Sequence, residues 1–216
     1  ADVIIAATGG FHQPFLPELE GLGDFAGNLV HTAQWAESVP VAGRRLGIIG
    51  TGSSAVQTVG AVVEEVESLS LFQRTAQWVL PQDNPPYTDE EKAAFRADPD
   101  SQRRLRDEIS ELFADGFANA VVDAESPVLA RIAELCQANL DSVVDKELRE
   151  RLTPDHRVAC KRLVISENFY EAIQHPNARL VTNKIDRIVS DGVLTSDGEV
   201  HQLDVLVLAT GFQVDR

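Results

Sequence analysis

Along this chain, apolar residues fall either into short unbroken runs or onto helical spacing, and the two textures occupy different stretches. Unbroken runs of strand length stand at both ends: Ala1-Asp2-Val3-Ile4-Ile5-Ala6-Ala7-Thr8-Gly9 and Asp204-Val205-Leu206-Val207-Leu208-Ala209-Thr210-Gly211. A parallel sheet buries runs of this kind on both faces, so each is expected to be a core strand ending in Ala-Thr-Gly. The first run has no Met and no turn ahead of it, which suggests a piece of a longer protein. Between 45 and 74 the pattern alternates. Arg45-Leu46-Gly47-Ile48-Ile49 predicts a strand, Val56, Val59, Val62, Val63 and Val66 recur at helical spacing, and Ser68-Leu69-Ser70-Leu71-Phe72 predicts a second strand. Together they make a βαβ unit of about thirty residues, which crosses over right-handed in a parallel sheet.

From 85 to 152 stripes replace runs. Pro85-Pro86 closes the α/β stretch, and Thr88-Asp89-Glu90-Glu91 has the form of a capping box. Leu105, Ile109, Leu112, Phe113 and Phe117 predict one amphipathic helix. Ser126-Pro127 opens another, whose apolar positions are Val128, Leu129, Ile132, Leu135, Leu140 and Val143. After Pro176, turns at Asp191-Gly192 and Asp197-Gly198 predict a β-meander ahead of the last strand. The fold expected is α/β: a Rossmann-like, three-layer dinucleotide-binding domain with a parallel sheet, a β-meander and a helical insertion. Residues 1–84 and 153–216 are expected to form the nucleotide-binding domain, and 85–152 the insertion.

Charge narrows the partners. The 216 residues carry 34 acidic and 19 basic side chains, a net charge of −15. Such a field repels phosphate backbones, so nucleic acid is not expected and any useful cation must act locally. Cys136 and Cys160 suggest neither a disulfide framework nor a metal site, which fits a cytoplasmic setting. No apolar run is long enough to span a membrane, and no charged-then-apolar leader opens the sequence. His12, His156, His175 and His201 lack metal-ligand spacing and are expected at the surface.

Candidate chemistry begins at Gly50-Thr51-Gly52-Ser53-Ser54-Ala55, a G-x-G-x-x-A turn between strand and helix. Gly50 makes the tight turn, Gly52 lets a diphosphate reach the backbone, and the free N–H groups and dipole of the helix end favour the anion. A site for the unphosphorylated coenzyme needs Asp or Glu at the end of the second strand, about twenty residues on. Gln73-Arg74-Thr75 stands there instead. A guanidinium binds a 2′-phosphate where a carboxylate repels it, so Arg74 points to NADP(H).

Before this unit, Phe25-Ala26-Gly27-Asn28-Leu29-Val30-His31-Thr32-Ala33-Gln34-Trp35 fits F-x-G-x-x-x-H-x-x-x-W. At ordinary residue frequencies a chance match in such a chain is on the order of one in ten thousand. On Phe25, Gly27, His31 and Trp35 the chain resembles the Baeyer–Villiger monooxygenases of the flavin-containing monooxygenase superfamily, with Ala36 where that family usually continues with Pro or Asp. Phe72-Gln73-Arg74-Thr75 is similar to the family's NADPH-recognition corner, and Ala209-Thr210-Gly211-Phe212 to its second linker. Cys160-Lys161-Arg162 is similar to a stretch that brings two cations to the junction of nicotinamide and flavin.

The resemblance implies an FAD-dependent enzyme that takes reducing equivalents from NADPH and inserts one atom of O2 beside a ketone carbonyl, giving an ester or lactone. It implies a phosphate site of Gly50, Thr51, Gly52, Ser53, Ser54 and Gln57, and a 2′-phosphate corner of Arg74 and Thr75 with help from Lys161. Arg162 would be the catalytic cation, stabilising negative charge on the reacting oxygens. For His31 a part in linker geometry and domain motion is expected, not acid–base chemistry. No second G-x-G-x-x-G occurs, so the FAD domain is expected outside these residues and the chain is expected to be inactive alone. Oxidation of nitrogen or sulfur by a related flavin-containing monooxygenase is the alternative reaction. A non-catalytic nucleotide-binding module is the alternative of another class. A disulfide reductase would need a close pair of cysteines.

Overall fold

The computed structural model describes residues 1–216 except 2, 6, 8, 37, 112, 115–117, 119–121, 124, 215 and 216. In chain order the elements are β1 (Asn28–His31), β2 (Arg45–Ile49), α1 (Ser53–Val62), β3 (Ser68–Phe72), β4 (Val79–Leu80), α2 (Asp89–Ala97), α3 (Pro99–Glu111), α4 (Pro127–Asp141) and α5 (Lys146–Leu152). Then follow β5 (Val164–Ile165), α6 (Phe169–Ala172), β6 (Ala178–Val181), β7 (Ile185–Val189), β8 (Gly192–Thr195), β9 (Val200–Gln202) and β10 (Val205–Leu208). Five of the strands form a sheet in the order β1-β10-β2-β3-β6, parallel throughout.

Alternation along the strands sorts side chains into two cores. On one face Leu46, Ile48, Leu69, Leu71, Val205 and Val207 pack with Val56 and Val59 of α1 and with Phe169, Tyr170 and Ile173. On the other, Leu206 and Phe72 pack with Ile188 and Val193 of the antiparallel meander β7-β8-β9 and with Leu203 just past it. The result is α/β in three layers: helices, parallel sheet, meander. The strands at 45–49 and 68–72 and the capping box of Thr88 and Glu91 form as their residues predict. Ser126 caps α4 with Pro127 in its first turn.

The opening run departs from expectation. None of the described residues between 1 and 9 lies in a strand, and Val3, Ile4 and Ile5 are 77, 87 and 86% exposed. No neighbouring strand takes up their backbone groups, and β propensity without a partner does not make a strand.

The helical stretch also differs from its pattern. Leu112 and Phe117 lie outside the described residues, while Ile109 and Phe113 are 45 and 55% exposed rather than buried. By contrast Leu140, Val143 and Leu152 belong to the main core, and Leu129 and Cys136 pack with Val158 and Leu163 in a third cluster. The expectation of surface histidines fails for His201, which is buried against Thr195 (Nε2 to Oγ1, 3.2 Å) and meets Phe72 edge-on. It sits on the inward face of β9, where alternation places it under the sheet. His156 is half-buried, and His12 and His175 are exposed.

Candidate functional site: a glycine turn at the switch point of the sheet

From β2 the chain winds outward through β3 and β6, then returns to place β10 on the other side of β2. In open α/β sheets, ligands bind in the crevice outside the carboxyl ends of the strands at such a reversal. Gly50 lies there. Its φ is 121°, and a Cβ would stand 2.4 Å from the Ala209 carbonyl oxygen, so only glycine lets the ends of β2 and β10 meet this way. The Gly50 N–H donates to the Phe72 carbonyl at 3.3 Å, which ties the turn to the end of β3 as well.

Helix α1 leaves this turn without a side-chain cap at Gly52. Its Val56 N–H donates to the Gly52 carbonyl at 3.0 Å, so the N–H groups before Val56 are the helix's orphan donors. A Cβ on Gly52 would meet nothing within 4 Å. Open space over uncapped donors is what a diphosphate needs. Ser53, Ser54 and Gln57 are exposed on the opening turns of the helix. Thr51 is used differently: its Oγ1 donates to the Thr75 carbonyl at 2.8 Å and so fixes the loop that carries Arg74.

Arg74 is exposed just past β3, and no carboxylate pairs with it among the described residues. Its neighbour Gln73 is buried; the Gln73 N–H extends the sheet ladder to Val181 O at 2.8 Å, and its Nε2 donates to the Arg151 carbonyl at 2.7 Å. Nothing in the spacing of the sequence points to that last bond. The loop continues into β4, which pairs in parallel with β5. Lys161 and Arg162 are exposed immediately before the buried Leu163 and β5. The fold therefore sets the glycine turn and the opening turns of α1, with Gly50, Thr51, Gly52, Ser53, Ser54 and Gln57, at the carboxyl end of β2, beside the end of β3 that leads into Arg74 and Thr75. Lys161 and Arg162 lie in the segment just ahead of β5, with no hydrogen bond between them and the glycine turn among the described residues. Two concavities, of about 230 and 720 Å3, lie instead along α4 beside Arg157 and Val158.

The looser spacing G-x-G-x-x-A recurs at Gly21-Leu22-Gly23-Asp24-Phe25-Ala26. There it forms a single 3-10 turn, Leu22–Asp24, with neither a preceding strand nor a following helix. Spacing without the strand–helix setting makes no phosphate site.

The fingerprint residues bracket β1. Phe25 is buried in the meander-side core, and Trp35 packs partly against the main core. A Cβ on Gly27 would lie 2.5 Å from the Asp204 carbonyl oxygen, which Asn28 N–H engages at 2.9 Å, so glycine lets the strand dock beside β10. His31 is 4% exposed; its Nδ1 accepts the Ala33 N–H at 3.1 Å, while Nε2 is buried without a partner. Its ring stands edge-on to Phe212 at 5.9 Å, in the segment after β10. That segment is laced to residues 13–15: Phe15 N–H donates to Gly211 O (2.9 Å), Thr210 Oγ1 to Phe15 O (2.5 Å) and Gln213 N–H to Gln13 O (2.9 Å). Cys136 is buried, and desolvation pushes its thiol up to about 11, while Cys160 is exposed. The two are no redox pair. Among the described residues no group of His, Cys, Asp and Glu is arranged to hold a metal, and no helix is long and apolar enough to cross a membrane.

No protein-family model matches the chain. An uncharacterised monooxygenase of Mycobacterium tuberculosis is 43% identical over 213 residues, 98% of this chain and 42% of that protein. A Baeyer–Villiger monooxygenase of Streptomyces coelicolor is 34% identical over 218 residues, 99% of this chain and 41% of its own length. Among solved structures, cyclohexanone monooxygenase from a Rhodococcus species bound to NADP+ superposes with a TM-score of 0.81 at 30% identity, covering 95% of this chain and 45% of that one. The chain thus spans about 42% of the length of the curated relatives it matches first.

Proposed function

We propose that this chain, which is related to the Baeyer–Villiger monooxygenases along nearly its whole length, is the NADPH-binding part of such an enzyme. The observation that carries the reading is the uncapped, open helix end at the switch point, with Arg74 at the end of the neighbouring strand paired to no carboxylate among the described residues. Gly50 and Gly52 bring the diphosphate to the backbone donors of Thr51, Ser53 and Ser54, with Gln57 one turn on. Arg74 takes the 2′-phosphate in charge-assisted hydrogen bonds, and Thr75, held by Thr51, fixes the loop beside it. The nucleotide-binding domain comprises 1–84 and 153–216, with 85–152 inserted; FAD is bound by a domain outside these residues.

When bound, the coenzyme supplies hydride for the flavin. The chain's own part is to hold the dinucleotide at the carboxyl edge of the sheet and to present Lys161 and Arg162 beside it. Lys161 completes the phosphate contacts. Arg162 stabilises with its guanidinium the oxyanion that develops as oxygen enters the ketone. The resemblance at Phe25, Gly27, His31 and Trp35 is to the Baeyer–Villiger monooxygenases, which supports ketone oxygenation over oxidation of nitrogen or sulfur. His31, which stands edge-on to Phe212 after β10, takes part in linker geometry and domain motion.

Calorimetric titration with NADP+ and NAD+ tests the coenzyme assignment. NADP+ is expected to bind more tightly by about one to two decades, from hydrogen bonds worth about 1.5–3 kcal/mol to a charged group. Arg74→Ala is expected to erase that difference while leaving NAD+ unchanged; equal losses for both coenzymes would remove Arg74 from the 2′-phosphate. In an enzyme that includes the flavin domain, Arg162→Ala is expected to preserve anaerobic flavin reduction by NADPH and abolish ester formation from a cyclic ketone. Normal ester yield from that variant rules out the catalytic assignment, and sulfoxidation of a thioether without any ketone oxygenation by the wild type favours the heteroatom reading.

A further inference from the structure

The end of β3 is held by a closed ring of hydrogen bonds that runs through the helical stretch. Gln73 N–H donates to Val181 O at 2.8 Å, Gln73 Nε2 donates to the Arg151 carbonyl at 2.7 Å, and Arg151 Nη1 donates to Leu180 O at 3.0 Å. Leu180 and Val181 are adjacent on β6, the outermost strand on this side of the sheet, so the ring closes. Its members are the residue next to Arg74, the carboxyl end of β6 and the last turn of α5.

Two features of the ring bear on ligand binding. Gln73 is 8% exposed, so the backbone from which Arg74 projects is anchored in the interior, not carried on a free loop. Arg151 gives Nη1 to Leu180 and is otherwise exposed, with no carboxylate paired to it among the described residues. A guanidinium has five N–H donors in a planar fork, so one bond to a carbonyl leaves an edge for a phosphate. In a chain with net charge −15, Arg74 past the end of β3 and Arg151 at the edge of the neighbouring β6 are two guanidinium groups with no carboxylate partner among the described residues.

We propose that Arg151 acts with Arg74 in selecting the 2′-phosphorylated coenzyme, as a second guanidinium that α5 delivers to the end of β3; this rests on the NADPH reading of the glycine turn. The helical stretch then has a part in coenzyme specificity as well as in packing. Arg74 projects past the end of β3, and Arg151 is held at Leu180 of the neighbouring β6.

Dissociation constants for NADP+ and NAD+ on the wild-type chain, Arg151→Met, Arg151→Lys, Arg74→Met and the double Met variant test this. Gln73 is held by the backbone carbonyl of residue 151, so side-chain replacement leaves that anchor in place. Arg151→Met is expected to weaken NADP+ about tenfold, the loss of one charge-assisted contact, with NAD+ changed less than about twofold. Arg151→Lys is expected to fall between, keeping charge but not the fork. The double variant is expected to lose less than the product of the single losses, since both groups share one phosphate. Equal losses for both coenzymes mean that the Leu180 tie is structural only and overturn the inference, as does an unchanged preference in Arg151→Met. A wild-type chain without preference for NADP+ overturns the NADPH reading and this inference together.

Discussion

The two Ala-Thr-Gly segments have nearly the same sequence and opposite fates. Asp2-Val3-Ile4-Ile5-Ala6-Ala7-Thr8-Gly9 and Asp204-Val205-Leu206-Val207-Leu208-Ala209-Thr210-Gly211 share their acid, their β-branched and aliphatic run and their ending. In the second, Val205, Leu206, Val207 and Leu208 are at most 1% exposed, with β1 on one side and β2 on the other. In the first, Val3, Ile4 and Ile5 lie open at 77% exposure or more. Burying one such side chain is worth about 1.5–3 kcal/mol, and ordering one backbone residue costs about 1–2 kcal/mol. A strand therefore forms where neighbours on both faces and both edges offset the ordering, and not where they are absent. The local pattern is necessary; the spatial neighbours decide.

Parallel substitutions in the two segments give the largest difference. Leu206→Asp is expected to prevent cooperative folding, because the charge would be buried among Phe72, Ile188, Val193 and Leu203 with no partner. Leu206→Ala is expected to cost about 2–5 kcal/mol through lost burial and the cavity left behind. Ile4→Ala and Ile4→Asp are each expected to change stability by less than about 0.5 kcal/mol. Urea denaturation followed by far-UV circular dichroism reads all four. A loss at Ile4 as large as that at Leu206→Ala would mean that the first run is packed in solution, and the contrast would collapse.

How far the residues announced the structure follows the same division. The strands of the βαβ unit, at 45–49 and 68–72, were legible to the residue because their signals are local, while the helix between them ends at Val62, short of the Val63 and Val66 that its period included. The capping box at Thr88 and the cap at Ser126 are local too. What stayed hidden depends on partners distant in sequence. Ile109 and Phe113 carry an amphipathic period yet remain open, since a period states which face is apolar and not what covers it. His201 is polar by type but occupies an inward position of β9, which only the docking of the meander under Phe72 reveals. The bond from Gln73 to Arg151 spans 78 positions, and a lone Gln at a strand end gives no hint of it. Of the candidate site, the glycine turn and Arg74 were visible because strand–turn–helix spacing fixes them. The placement of Lys161 and Arg162 just ahead of β5, which pairs with β4, was not.

A smaller effect than that at Leu206 is expected at the acid that opens the second segment. Asp204 receives Arg45 N–H and Nε at Oδ2 (2.9 and 3.1 Å) and Arg45 Nη2 at Oδ1 (2.7 Å), so its carboxylate clamps the start of β2 to the start of β10. These bonds, side chain first, hold its pKa down to about 2, below the ordinary 3.8. A carboxyl lowered in the folded state adds stability above its unfolded pKa and loses it as pH falls through the folded one. The contribution is therefore complete above about pH 4 and vanishes on approach to pH 2. The pair is 33 and 30% exposed on its two side chains, so solvent screening holds its worth to about 1 kcal/mol. Asp98, Asp155, Asp197 and Glu199 are lowered as well, each by its own hydrogen bonds, so acid destabilisation of the wild type has several sources. The difference between wild type and Asp204→Asn isolates this one: about 1 kcal/mol at pH 6, shrinking steadily below pH 4. A gap that stays constant down to pH 2.5 would show that the Asn variant suffers from lost backbone docking at Arg45, and that charge at position 204 contributes nothing of its own.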